Sequence, residues 1–169
     1  MTAHTHSHTE HIEHADDRLV EELVHHHAGM LAELDRLSGD LVRAAGAGGT
    51  GGPGVPEARR ALEHWFAHVL VAHAAEEEET SYRAAGLLPE GRLLIRAMLA
   101  EHVLIRRLVG LFAEAEEPAT AAAYGRAVLE VFDSHQRKEN EIILPLLAAD
   151  PTVSLREVMA AGHHHHAHA

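Results

Sequence analysis

The chain has 169 residues, 46% hydrophobic but only 4% aromatic, and its 26 acidic residues outnumber 14 Lys and Arg for a net charge of −12. That length suits one domain with a buried core, and a sequence rich in alanine and leucine favours helices packed on helices. The lack of cysteine excludes disulfides, zinc–thiolate sites and iron–sulfur clusters, the acidic balance argues against a nucleic-acid partner, and no run approaches the ~20 apolar residues of a membrane span. The polar N-terminus does not look like a leader, so a cytoplasmic location is expected.

After a histidine-rich stretch (1–15), a first helical pattern runs from about Asp16 to Ala45. The glycine-rich Ala45–Pro56 (AGAGGTGGPGVP) cannot continue it and reads as a flexible connection. A second pattern starts near Pro56 and Glu57, with proline ahead of the first turn, and continues to about Arg83. Gly86–Gly91 (GLLPEG) reads as a turn, a third helix spans about Arg92 to Ala115, and Pro118 opens a fourth that reaches about Ala149. Asp150 and Pro151 break the chain, and Ser154 is placed to cap a short helix to Ala161, ahead of a histidine-rich end. The expected division is therefore a tail (1–15), a helical domain (16–149), and a short helix with a second tail (150–169).

Of 18 histidines, ten lie near the two ends and eight lie within the helical patterns. At ~100° per residue, His27 sits mid-stripe in the first helix, among Leu23, Met30, Leu34 and Leu41. His26 lies at the stripe's edge as the reserve, and His25 points away. In the second helix, Leu62, Phe66, Val69 and Leu70 lead to His73, with Glu77 one turn later on the same face. Ile95, Met98, Ile105 and Val109 surround His102 in the third. In the fourth, Tyr124, Val128, Val131 and Phe132 lead to His135, then Glu139, with Ile142 and Leu146 continuing the stripe.

A lone histidine on an apolar face is ordinarily structural, satisfied by a nearby hydrogen bond. Four of them with two aligned glutamates need a common explanation, because each unpartnered buried polar group costs ~1–3 kcal/mol. A shared cation provides it, and an internal hydrogen-bonded network is the alternative. Residues at i and i+4 lie about 6 Å apart along one face, so each His-x-x-x-Glu pair reaches a single centre. Imidazole suits iron, copper, zinc and nickel, and carboxylate can bridge two ions. Around this set, Arg106 either pairs with a ligand glutamate or caps the pocket, or else snorkels to the surface. Tyr124 either hydrogen-bonds near the metal or simply packs. Glu76, Glu78 and Glu79 read as a solvated face or else as outer partners of the ligands, with solvation preferred, and Trp65 and Tyr82 read as packing residues.

The segments HAAEEEETSY (His73–Tyr82), HQRKENEIILPLL (His135–Leu147), EHVLIRRL (Glu101–Leu108) and HHHAGMLAELDRL (His25–Leu37) together resemble the hemerythrin-like, or HHE cation-binding, family over roughly residues 16–149. The resemblance implies an all-α, up-down-up-down four-helix bundle. It would hold two non-haem iron ions, bridged by carboxylates and a solvent-derived oxo or hydroxo group. His27, His73, His102 and His135 would be terminal ligands, with Glu77 and Glu139 bridging. Two departures stand out. Oxygen-carrying members have a second third-helix histidine where this chain has Arg106. They also have an aspartate at i+5 of the fourth-helix histidine, where this chain has Asn140 and instead carries Glu139 at i+4. Fewer histidines leave more exchangeable positions, which argues against simple reversible oxygen carriage. The set of four histidines and two glutamates is closer to that of the iron-centre repair proteins and related bacterial hemerythrin-like proteins, although the sequence lacks the cysteine that the repair proteins carry.

The function expected is binding, sensing or reaction with a small oxidant such as oxygen, peroxide or nitric oxide, with peroxide-decomposing or oxidase-like activity as its enzymatic form. A helical core favours ligands of diatomic scale. The alternative is metal buffering through the core and the histidine-rich tails, or a tag-like origin for Gly162–Ala169. A ferritin-like oxidase needs Glu-x-x-His on two helices, and the one such spacing noted, Glu22 to His25, points outward.

Overall fold

The computed structural model describes residues 4–47, 52 and 54–163, with side chains for 17–46, 52 and 54–161. Among the described residues the fold is all-helical. The elements are α1 (His4–Ala47), α2 (Val55–Trp65), a π-turn (Phe66–Leu70), α3 (Val71–Glu79), α4 (Ser81–Ala85), α5 (Gly91–Glu114), α6 (Pro118–Lys138), a second π-turn (Glu139–Ile143), α7 (Leu144–Ala149) and α8 (Leu155–His163). No described helix is long and apolar enough to cross a membrane.

α1 starts at His4 rather than near Asp16. No glycine or proline separates the two positions, so nothing in that stretch halts the helix. The expected breaks appear elsewhere. Pro56 and Pro118 sit in the first turns of α2 and α6, where a missing N–H leaves no bond unmade. At Gly91 a Cβ would run into the Ala85 carbonyl, so the turn before α5 requires glycine there. Ser154 Oγ accepts the Glu157 N–H at 3.4 Å, opening α8 as its capping position suggested.

The second π-turn corrects the fourth-helix stripe. Ile142 is 49% exposed, whereas Ile143 and Leu147 are buried. A π-turn inserts one residue into the helical count, so every later side chain moves one place around the axis. Pro145 explains the location: it has no N–H for the carbonyl of Glu141, and its ring needs the widened turn.

α1 packs on α2 and α6, α5 packs on α6, and α3 packs on α5. Among the described residues the core has two apolar clusters. One gathers Met30, Leu34, Leu62, Phe66, Leu70, Ile105, Phe112 and Phe132. The other gathers Tyr82, Ile95, Met98, Ile143, Leu147 and Leu155, with Leu19 and Leu23 against it. Each arm passes through both. α1 goes from Leu23 past His27 to Met30, and the second arm from Leu70 past His73 and Glu77 to Tyr82. α5 goes from Met98 past His102 to Ile105, and α6 from Phe132 past His135 and Glu139 to Ile143. The polar residues therefore form a layer sandwiched between two dry ones.

Candidate metal centre

Five of the six residues singled out from the stripes, His27, Glu77, His102, His135 and Glu139, are buried. The sixth, His73, is half-buried with 15% of its side chain exposed. The structure brings all six together. His27, His73, Glu77 and Glu139 form one group able to hold an ion, and Glu77, His102, His135 and Glu139 form another, with donor atoms in each group within 4.8 Å of one another. Glu77 and Glu139 belong to both.

His73 Nε2 lies 2.9 Å from Glu77 Oε1 without the alignment of a hydrogen bond. His27 Nε2 is 3.8 Å from Glu77 Oε1 and 3.9 Å from Glu139 Oε2. His102 Nε2 is 3.0 Å from His135 Nε2 and 3.5 Å from Glu77 Oε2, and His135 Nε2 is 3.2 Å from Glu139 Oε1. Donors on one first-row ion with bonds of about 2.1 Å stand about 3 Å apart at right angles and about 4.2 Å apart across the ion. The observed spacings fall in that interval.

Three imidazoles are aimed by hydrogen bonds on their far side. His27 Nδ1–H donates to Asn140 Oδ1 at 2.7 Å, His102 Nδ1–H to Glu78 Oε1 at 2.8 Å, and His135 Nδ1–H to Glu101 Oε2 at 3.0 Å. Each bond turns Nε2 toward the centre, where the neutral imidazole would present a lone pair to a metal. Arg106 Nη2 donates to Glu78 Oε1 at 2.7 Å, and Lys138 Nζ donates to Glu101 Oε1 at 2.7 Å, so cations hold the outer carboxylates in turn.

Several expectations change here. Arg106 pairs with Glu78 rather than with a ligand glutamate, and of the two readings of Glu78 the less favoured one holds, since it is an imidazole partner. Tyr124 is half-buried against the Leu34–Phe132 cluster, about 16 Å N-terminal to His135 along the helix, so of its two readings the packing one holds. His26 is exposed, with its ring 5.7 Å from that of His73. Trp65 packs as expected, edge-on to Phe66 and Phe132. Tyr82 does more than pack: its hydroxyl donates to Glu139 Oε1 and lies 2.9 Å from His135 Nε2. Glu101 and Asn140 were not picked out as partners. The signal was their position, since Glu78, Glu101 and Asn140 each neighbour a core residue in the chain and so face the adjoining helix.

Burial, then the nearby Glu139 charge, pushes the Glu77 carboxyl up to about 8. Burial opposes ionisation of Glu139 as well, but the hydrogen bond and charge of His135 outweigh it and hold that carboxyl well below the usual range. Burial also lowers His27 and His73, which keeps them neutral and able to donate lone pairs. Burial and the Glu139 charge raise Tyr82, which stays a neutral hydrogen-bond donor in the metal-free chain. Glu77 Oε2, Glu139 Oε2 and His73 Nε2 are buried with no hydrogen-bond partner. These unpartnered atoms converge, and two carboxylates cannot both carry charge in so dry a layer without positive charge beyond that of His135. The residues fit a pair of divalent or trivalent ions.

A cavity of about 290 Å³ opens beside this layer. Its polar lining is His26, His27, His73, Glu76, Glu77, Thr80, Ser81 and Glu139, and its apolar lining is Leu19, Leu23, Ile143, Leu144 and Met159. His102 and His135 do not line it. The two histidine-rich ends, weighed above as chelators, lie outside the described side chains.

No curated protein and no solved structure matches the chain. The family model of the hemerythrin HHE cation-binding domain matches residues 18–147, which include all six convergent residues. With that match over most of its length, the chain belongs to the hemerythrin HHE cation-binding domain family.

Proposed function

We propose that the protein is a non-haem di-iron bundle that binds, senses or reacts with a small oxidant: oxygen, peroxide or nitric oxide. The observation that carries this reading is the sharing of Glu77 and Glu139 by two His₂Glu₂ groups. In it, His27 and His73 would hold one ion and His102 and His135 the other, with Glu77 and Glu139 within reach of both. The alternating order in which the arms traverse the two apolar clusters supports an up-down-up-down, four-helix topology.

Bound iron would supply reversible one-electron chemistry and exchangeable positions for the incoming ligand. The chain's own residues do the rest. Asn140, Glu78 and Glu101 orient the imidazoles. Leucine, isoleucine and methionine side chains keep the cavity wall dry. Because the cavity borders His27 and His73 alone among the four histidines, the incoming ligand reaches the ion on that side. Its volume exceeds what a diatomic needs, since one water occupies about 30 Å³ of liquid. Small organic peroxides are therefore within the size range.

The test begins with metal analysis of purified protein lacking the terminal histidine-rich segments, which should contain two irons per chain. Ferrous protein is then exposed to oxygen, hydrogen peroxide or nitric oxide while its optical spectrum is followed. A spectral change with at least one of the three is expected. Unchanged spectra with no loss of peroxide would discard the reading, as would loss of all metal on removing the ends.

A further inference from the structure

Tyr82 stands where a metal donor would stand. Its hydroxyl meets both Glu139 Oε1 and His135 Nε2, the latter at 2.9 Å. These two residues belong to the ion-holding group of Glu77, His102, His135 and Glu139. The ring is 2% exposed and stacks on His102, with centroids 5.1 Å apart and planes at 13°. Rotation of the phenol is thereby blocked, and its oxygen is held among the nitrogen and oxygen atoms that face the ion.

The chain bends to achieve this. α3 ends at Thr80, whose φ of −115° and ψ of −95° leave the helical region, and α4 restarts at Ser81. In an unbroken helix Tyr82 would point about 140° away from Glu77. The break at Thr80, secured by Thr80 Oγ1 donating to the Glu76 carbonyl at 2.7 Å, turns the phenol back into the polar layer.

Donor supply points the same way. The helical position one turn after His102 holds Arg106, whose guanidinium is turned outward to Glu78 and cannot ligate. An ion held by His102 and His135 would have two imidazoles and the shared Glu77 and Glu139 from the helices, and Tyr82 brings one more oxygen to the same place. An ion held by His27 and His73 would have no equivalent among the described residues, and that side opens to the cavity.

We infer that the Tyr82 phenolate is a ligand of the ion held by His102 and His135, leaving the ion at His27 and His73 as the one that receives external ligands. The inference rests on the di-iron reading above. On binding, the Tyr82 O–H bond breaks, an oxygen–metal bond forms, and the proton passes to solvent with no change of oxidation state. A phenolate is a hard anionic donor, so it favours the ferric state of that ion and makes the two irons unequal.

The experiment is resonance Raman spectroscopy of the ferric protein, alongside its visible absorption and iron content. A phenolate bound to ferric iron gives an intense visible charge-transfer band, and excitation within that band enhances tyrosinate ring vibrations. The chain has two tyrosines, Tyr82 and Tyr124, which makes the assignment decisive. The band and the enhanced modes should be present in the wild type, persist in Tyr124→Phe, and vanish in Tyr82→Phe with helical content unchanged. Should Tyr82→Phe fail to fold, their persistence in Tyr124→Phe still assigns them to Tyr82. A wild-type protein carrying two irons per chain without tyrosinate modes would overturn the Tyr82 inference and leave the di-iron reading standing. A wild-type protein that takes up no iron would overturn both.

Discussion

The Nδ1–H of His27 on α1 donates to Asn140 Oδ1 across the bundle at 2.7 Å, and Asn140 follows Glu139 directly in the chain. One dipeptide in the second π-turn thus provides a carboxylate for the centre and the outer partner of an imidazole on another helix. Outer partners of this kind fix ring orientation and tautomer, and their loss typically costs ~10–100-fold in metal affinity. Asn140→Leu is expected to weaken metal binding by about that factor while the bundle stays folded. Competition with a chelator of known affinity measures it, and an affinity equal to wild type would deny Asn140 this role.

Glu77 belongs to both ion-holding groups, so Glu77→Gln should strike both sites together. Bound metal is expected to fall from two ions to one or none per chain. The amide has the shape of the protonated carboxyl that burial favours in the metal-free chain, so the apo variant should unfold at nearly the wild-type denaturant concentration. Metal supplied at 100 times its dissociation constant should stabilise the wild type by about 2.7 kcal/mol for each ion bound, and the variant by clearly less. Chemical unfolding with and without metal, paired with metal analysis, tests both halves.

Lys138 donates to Glu101, and together with His135 it holds the Glu101 carboxyl below its ordinary value against the opposing effect of burial. A depressed carboxylate contributes stability above the unfolded-state value of 4.5, and that contribution disappears as pH falls through the lower folded-state value. Lys138→Met should therefore cost up to about 1 kcal/mol at neutral pH, a figure limited by the partial exposure of both groups. The gap between variant and wild type should stay constant down to about pH 4.5 and close below it. Urea unfolding of the metal-free proteins between pH 7 and pH 3 follows it, and a gap that widened with acid would contradict the assignment.

Leu34 is fully buried in the apolar cluster on the far side of the polar layer from Tyr82. Leu34→Ala should destabilise the bundle by about 2–5 kcal/mol through lost burial and the cavity left behind. It should leave metal stoichiometry intact in the molecules that remain folded. A destabilisation below about 1 kcal/mol, read by urea unfolding, would mean that the cluster collapses around the gap.

Periodicity alone made much of this protein legible. A helix repeats its faces every 3.6 residues whatever surrounds it, so the stripes around His27, His73, His102 and His135 and the i+4 glutamates could be read without knowing which helix touches which. The breaks at Pro56, Gly91, Pro118 and Ser154 were readable for the same local reason. What could not be read were relations between helices and departures from the regular turn. Glu101 and Asn140 look like solvated neighbours on their own helices, and they become imidazole partners, as Glu78 does, only when the adjoining helix arrives at the right rotation. The π-turn at Glu139 moved the buried stripe from Ile142 to Ile143, and the break at Thr80 brought Tyr82 inward. Sequence alone therefore determined which residues share a face, because that depends on backbone geometry within one segment. Tertiary structure decided which faces meet, because that depends on packing between segments far apart in the chain.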